Sequence, residues 1–153
     1  MDERDVLDQA RNIEREGIAF YGRQAQETEN QYAKLFFERM VQEEEDHLKL
    51  LESSAEALKK DVEMDFELGE LPQVNVFPQE ARKIGDTYLE ALQAALELEK
   101  RSMTAYADAS EKTSNPQIKR VYDYLVEFEG IHMERIQSEI DFIENTAGSS
   151  ELG

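Results

Sequence analysis

Apolar residues recur along this chain at alternating steps of three and four, the spacing that keeps them on one face of an α-helix. Leu7, Ala10, Glu14, Gly17, Tyr21, Gln24 and Thr28 trace one such stripe, and Ala33, Phe37, Met40, Glu44, His47, Leu51 and Leu58 a second. Leu92, Ala95, Glu99, Ser102, Tyr106 and Ala109 form a third, followed by Ile118, Tyr122, Leu125, Glu129, His132, Ile136 and Ile143. The stripes predict four helices, paired as hairpins over about 5–58 and 86–145. The first hairpin breaks near residues 29–31. The second breaks at Thr113-Ser114-Asn115-Pro116, where Asn115 suits an N-cap and Pro116 a first-turn position. Gly85-Asp86 reads as a linker residue and a helix cap, and residues 147–153 as a flexible tail beyond a domain spanning 1–146.

The two hairpins are copies of one another. An offset of 85 residues lays Leu7 on Leu92, Ala10 on Ala95, Glu14 on Glu99 and Tyr21 on Tyr106. Thr28 and Asn30 fall on Thr113 and Asn115, Glu44 on Glu129, His47 on His132 and Ser53 on Ser138, with no gap. A repeated hairpin implies a bundle of approximate two-fold symmetry in which each half covers the other's apolar face. The connection, residues 61–85, contains Gly69, Pro72 and Pro78 and is far longer than an antiparallel turn needs. It has to climb about 40 Å at the helical rise of 1.5 Å per residue, which an extended chain of that length reaches. The expected fold class is therefore all-α, a four-helix bundle with one long crossover.

Each stripe carries a glutamate at its middle, and that is where chemistry is expected. Glu44-Glu45-Asp46-His47 and Glu129-Gly130-Ile131-His132 are both Glu-x-x-His, whose two ends lie on one helix face and can close on a single metal ion. Glutamate is so abundant here that one such motif means little; two, at equivalent places in a repeat, mean much more. Glu14 and Glu99 lie at a similar depth from their turns to Glu44 and Glu129, and each begins a Glu-x6-Tyr ending in Tyr21 or Tyr106. Four glutamates and two histidines thus converge at mid-bundle, where burial without partners would be very unfavourable. Two divalent ions would neutralise the four carboxylates, and oxygen and nitrogen ligands suit iron or manganese. Glu44 and Glu129 are expected to bridge the ions, Glu14 and Glu99 to be terminal ligands, and Tyr21 and Tyr106 to donate hydrogen bonds to carboxylates. Gly17 and Ser102, one turn beyond the terminal glutamates, either leave room for a small substrate or permit close helix packing. Glu43, Glu45, Glu97 and Glu127 are not selected by the repeat, and most of them are expected to face solvent.

Composition narrows the choice of partners. The net charge of -18 repels nucleic acid and anionic membranes, and concentrates cations. The chain has no cysteine, which excludes disulfides, thiolate ligands and a rubredoxin-type iron centre within it. Its longest apolar run is Ile18 to Tyr21, so neither a secretory signal nor a membrane span is expected and the cytoplasm is the default location.

Glu14-x6-Tyr21, Glu44-x-x-His47, Glu99-x6-Tyr106 and Glu129-x-x-His132 resemble the ferritin-like superfamily, and within it the rubrerythrin-like branch. The resemblance spans about 5–145 and implies a carboxylate-bridged centre of two iron ions, with manganese or zinc as alternatives. Glu14, Glu44, His47, Glu99, Glu129 and His132 would be its ligands, and Tyr21 and Tyr106 its supporting donors. The chain departs from the family in lacking a rubredoxin domain, in having Ser102 where a further glutamate is typical, and in ending the fourth-helix motif with His132. What the resemblance implies is an oxidoreductase that reduces peroxide or dioxygen with electrons from a separate donor such as a rubredoxin. A ferroxidase that stores or delivers iron, and a bundle with a purely structural metal, are the alternatives. A homodimer is expected.

Overall fold

The structure is a computed structural model of the 153-residue chain and describes residues 2–61, 68, 70–72 and 86–152. Four helices carry the fold: α1 (Glu3–Glu27), α2 (Gln31–Lys60), α3 (Asp86–Lys112) and α4 (Pro116–Leu152). α1 begins with a capping box in which the Asp2 carboxylate accepts from Asp5 N and Asp5 accepts from Asp2 N. The two hairpin turns are built alike, as the repeat predicts. Asn30 Oδ1 accepts from Ala33 N at 3.0 Å, and Asn115 Oδ1 accepts from Gln117 N at 3.0 Å and Ile118 N at 3.2 Å. In both turns the preceding threonine hydroxyl, Thr28 or Thr113, accepts from the asparagine N–H at 3.2 Å. α2 stops at Asp61, whose left-handed φ of 54° lets its N–H reach the carbonyls of Ala57 and Leu58.

Within each hairpin the helices pack along their length, and the hairpins meet through α1 against α3 and α2 against α4. Both seams run antiparallel. Glu14 faces Tyr106 while Tyr21 faces Glu99, and Glu44 faces His132 while His47 faces Glu129. Since α1 opposes both α2 and α3, these last two point the same way, and the chain must return the length of the bundle between Lys60 and Asp86. That is the expected long crossover. Apart from Asp61, Leu68 and residues 70–72, its own course lies outside the described residues, as does the Gly85 half of the cap expected before α3.

The core divides into two apolar slabs. One is built around Tyr21, Phe36, Phe37, Met40, Leu92 and Ile136, the other around Leu7, Leu51, Tyr106, Ile118, Tyr122 and Leu125. At about 1.5–3 kcal/mol for each fully buried large side chain, these slabs supply the driving force that holds a polar layer between them. The buried stripes match expectation except towards the helix ends. Ala25 is buried where Gln24 was expected, and Ser54 and Ala57 are buried where Leu58 was expected. A strict three-four alternation averages 3.5 residues per turn, and a straight helix of 3.6 drifts off it. α4 also runs to Leu152, past the end expected near Asn145, because a helix once nucleated extends at little cost where no proline stops it. Among the described residues no helix is long and apolar enough to cross a membrane.

Candidate metal centre

Between the slabs lie Glu14, Glu44, His47, Glu99, Glu129 and His132, none more than 2% exposed. Each helix contributes one glutamate and the histidines come from α2 and α4, so all six expected site residues are brought together. His47 Nδ1 is 3.1 Å from Glu129 Oε1 and 3.4 Å from Glu14 Oε1. Its repeat mate His132 has Nδ1 3.1 Å from Glu44 Oε1 and 3.5 Å from Glu99 Oε1. The two imidazoles lie nearly parallel, 5.8 Å apart.

Two sets of potential ligand atoms emerge, each within 4.8 Å of one another: Glu14, Glu44, His47 and Glu129, and Glu44, Glu99, Glu129 and His132. Glu44 and Glu129 belong to both sets, as residues placed to bridge two ions would, while Glu14 and Glu99 each belong to one. A second observation bears on whether cations fit. Glu14 Oε2, Glu44 Oε1, Glu99 Oε2, both Glu129 oxygens and all four imidazole nitrogens are buried without a hydrogen-bond partner among the described residues. Buried polar atoms are nearly always satisfied, so a layer of orphaned donor atoms calls for cations.

The two tyrosines lie where the sequence places them, but each serves the other hairpin. Tyr21 Oη donates to Glu99 Oε1 at 2.6 Å and Tyr106 Oη donates to Glu14 Oε1 at 2.5 Å, both across the α1–α3 seam. Burial, reinforced by the nearby carboxylates, raises both phenols well above their ordinary values, so they remain donors. Gly17 makes room for Glu44 rather than for a substrate: a Cβ at Gly17 would stand 2.9 Å from Glu44 Oε2. Its mate Ser102 turns its hydroxyl back to Leu98 O.

Burial and crowding also shift the protonation of the cluster. Burial, then repulsion by Glu129 and Glu14, pushes Glu44 well above the usual carboxylate range. Burial pushes Glu129 the same way, but the adjacent His132 and His47 imidazoles outweigh it and hold Glu129 at about 2. Burial would lower both histidines, yet Glu14 and Glu129 raise His47 from 6.5 to about 9, and Glu129, Glu43 and Glu44 raise His132 well above its ordinary value.

Three residues beside the site were missed by sequence reasoning. Glu43, not selected by the repeat, is only 13% exposed at its side chain, and its Oε1 lies 3.6 Å from His132 Nε2. It accepts from Arg135 Nη1 at 2.5 Å. Arg135 is fully buried, a position arginine rarely takes unless paired. Phe128 packs edge-on to His47 with ring centres 4.2 Å apart. The signal was present as a break in the repeat: Glu43 faces Phe128 in the 85-residue offset, and Leu50 faces Arg135. Of the other unselected carboxylates, Glu97 and Glu127 are exposed and Glu45 is half-buried.

The sequence model of the Rubrerythrin family matches residues 5–140. Neither the curated proteins nor the solved structures give a match.

Proposed function

We propose, from the premise that this chain belongs to the rubrerythrin family, that the buried layer holds two iron ions and that the protein is a non-haem oxidoreductase reducing peroxide, or dioxygen, with electrons from a separate donor. The observation carrying this reading is the layer of orphaned carboxylate and imidazole atoms shared between two ligand sets through Glu44 and Glu129. Four carboxylates and two divalent ions sum to neutrality, which removes the penalty of burying the acids together. Such a pair of ferrous ions would supply the two electrons that reduction of a peroxide takes up.

The chain's own residues do the rest. Glu44 and Glu129 span the two positions. His47 with Glu14, and His132 with Glu99, complete one position each. Tyr21 and Tyr106 orient Glu99 and Glu14 and keep a phenolic proton close to each terminal carboxylate. The apolar slabs above and below exclude bulk water.

The test is anaerobic reconstitution with ferrous iron, followed by mixing with peroxide or with air-saturated buffer while the optical spectrum is recorded. Two irons per chain and oxidation that is fast with peroxide and slow with air are expected. Faster reaction with air and uptake of iron beyond two per chain would replace this reading by iron storage. Binding without any redox response would leave a structural metal.

A further inference from the structure

The 85-residue repeat makes the two halves of the site near-equivalent, and it fails in one place. His132 Nε2 faces the Glu43–Arg135 pair, at 3.6 Å from Glu43 Oε1. His47, its mate, meets carboxylates at Nδ1 and packs edge-on to Phe128, the residue that the repeat puts in place of Glu43; both Nε2 atoms are buried without a hydrogen-bond partner among the described residues. Glu43 and Arg135 together carry no net charge, just as Phe128 and Leu50 carry none. The difference between the halves is therefore a buried dipole whose negative end faces one histidine only. A carboxylate behind a ligating imidazole fixes the ring and raises the basicity of the nitrogen that holds the metal, typically by 10–100-fold in affinity.

Access differs in the same sense. A cavity of about 410 Å³ is lined by His47 and Phe128, by the carboxylates of Glu43, Asp46 and Glu70, and by Leu68 of the crossover. His132, fully buried, does not line it.

We infer that the two metal positions are inequivalent: the ion held by His132 and Glu99 is retained, and the ion held by His47 and Glu14 exchanges through the acidic cavity beside His47. This rests on the metal-centre reading above. Asp46 and Glu70 draw divalent cations to the mouth of the cavity, and His47 is the first ligand they reach. Glu43, through His132, is a positioning residue for the retained ion.

Zinc separates this inference from redox chemistry. The full chain is loaded with two zinc ions and mixed with a large excess of a chelating dye, and release is followed by colour. Two phases of equal amplitude, separated at least tenfold in rate, are expected. Imidazole nitrogen NMR taken after the fast phase should show His132 still metal-bound and His47 free; the chain's two histidines make the assignment simple. The double variant E43F/R135L gives the second half the residues that the first half carries, and it removes both charges together so that neither is left buried alone. It should speed the slow phase at least tenfold, while the fast phase, whose cavity Glu43 also lines, is read from a separate variant. Should it not fold, Glu43→Gln tests the slow phase. D46N/E70Q should slow the fast phase alone. Release of both ions at one rate, retention at His47 rather than His132, or a slow phase indifferent to both position-43 variants would overturn the inference while leaving the two-metal reading standing. Failure to bind two zinc ions would overturn both.

Discussion

The Tyr21 hydroxyl on α1 donates to the Glu99 carboxylate on α3 at 2.6 Å, across the seam where the two hairpins meet. The bond ties a buried carboxylate of one hairpin to the helix of the other, and Tyr106 with Glu14 repeats it in the opposite sense. Each half of the site is thus oriented by its twin.

Tyr21→Phe should therefore disturb both stability and metal binding. Loss of the hydroxyl leaves a buried carboxylate oxygen without its donor, a change that costs about 1–3 kcal/mol. Metal affinity should fall roughly 10–100-fold, as is usual when a partner of a ligand is removed. Zinc titration and thermal melting measure the two effects. Zinc binding as tight as in the parent chain would show that Tyr21 is a packing residue only.

Gly17→Ala separates local helix propensity from the needs of the site. In an ordinary helix interior this exchange stabilises by about 0.5–1 kcal/mol. Here the new methyl would stand 2.9 Å from Glu44 Oε2 and displace a carboxylate common to both ligand sets. The expected outcome is a melting temperature little changed without metal, together with weaker uptake of two zinc ions than the parent shows. A variant that melts higher and binds zinc normally would mean that Glu44 yields without consequence.

The pH dependence of stability should differ between stripped and metal-loaded protein. Glu14 and Glu129 raise His47 from 6.5 to about 9, so the stripped fold holds this proton more tightly than the unfolded chain does. That contribution is complete below about pH 6.5 and is lost as pH rises through 9, an effect on the order of 3 kcal/mol. Glu129, held at about 2, contributes in the opposite sense: its stabilisation is present above pH 4.5 and is lost as pH falls through 2. Melting curves of stripped protein should therefore decline from pH 6.5 to 9, whereas zinc-loaded protein, whose imidazoles have exchanged protons for metal, should not. Zinc affinity should rise with pH over the same interval. A flat profile for stripped protein would contradict the ion pairing described for His47.

Glu139 offers a control remote from the six ligands. It is 2% exposed and accepts from Tyr32 Oη at 3.2 Å and Tyr88 Oη at 3.3 Å. Burial raises it above the usual carboxylate range, although the two phenols pull it back. Because the unfolded chain ionises more readily, this carboxylate opposes folding once pH exceeds about 4.5. Glu139→Gln keeps an acceptor oxygen and removes the charge, so the melting temperature should rise by a few degrees at neutral pH, with the gain vanishing near pH 4. Zinc stoichiometry should stay at two. A lower melting temperature at neutral pH would show that the ionised form is the one the fold needs.

Four helices, two like hairpins and six buried polar positions at similar depth were legible in the linear pattern. Helical period and internal repeat are properties of a single chain, and they state which face of each helix turns inward and how far along it a residue lies. The antiparallel register of the α1–α3 and α2–α4 seams is not written in any one helix. That register sends Tyr21 to Glu99 rather than to a carboxylate of its own hairpin, while the packing of α1 on α2 sets the bare backbone of Gly17 beneath Glu44. It also buries Arg135 against Glu43, where composition alone would put both in water. A buried face becomes a particular contact only when another helix is laid against it, and the differences between the two halves of this site arise from those contacts.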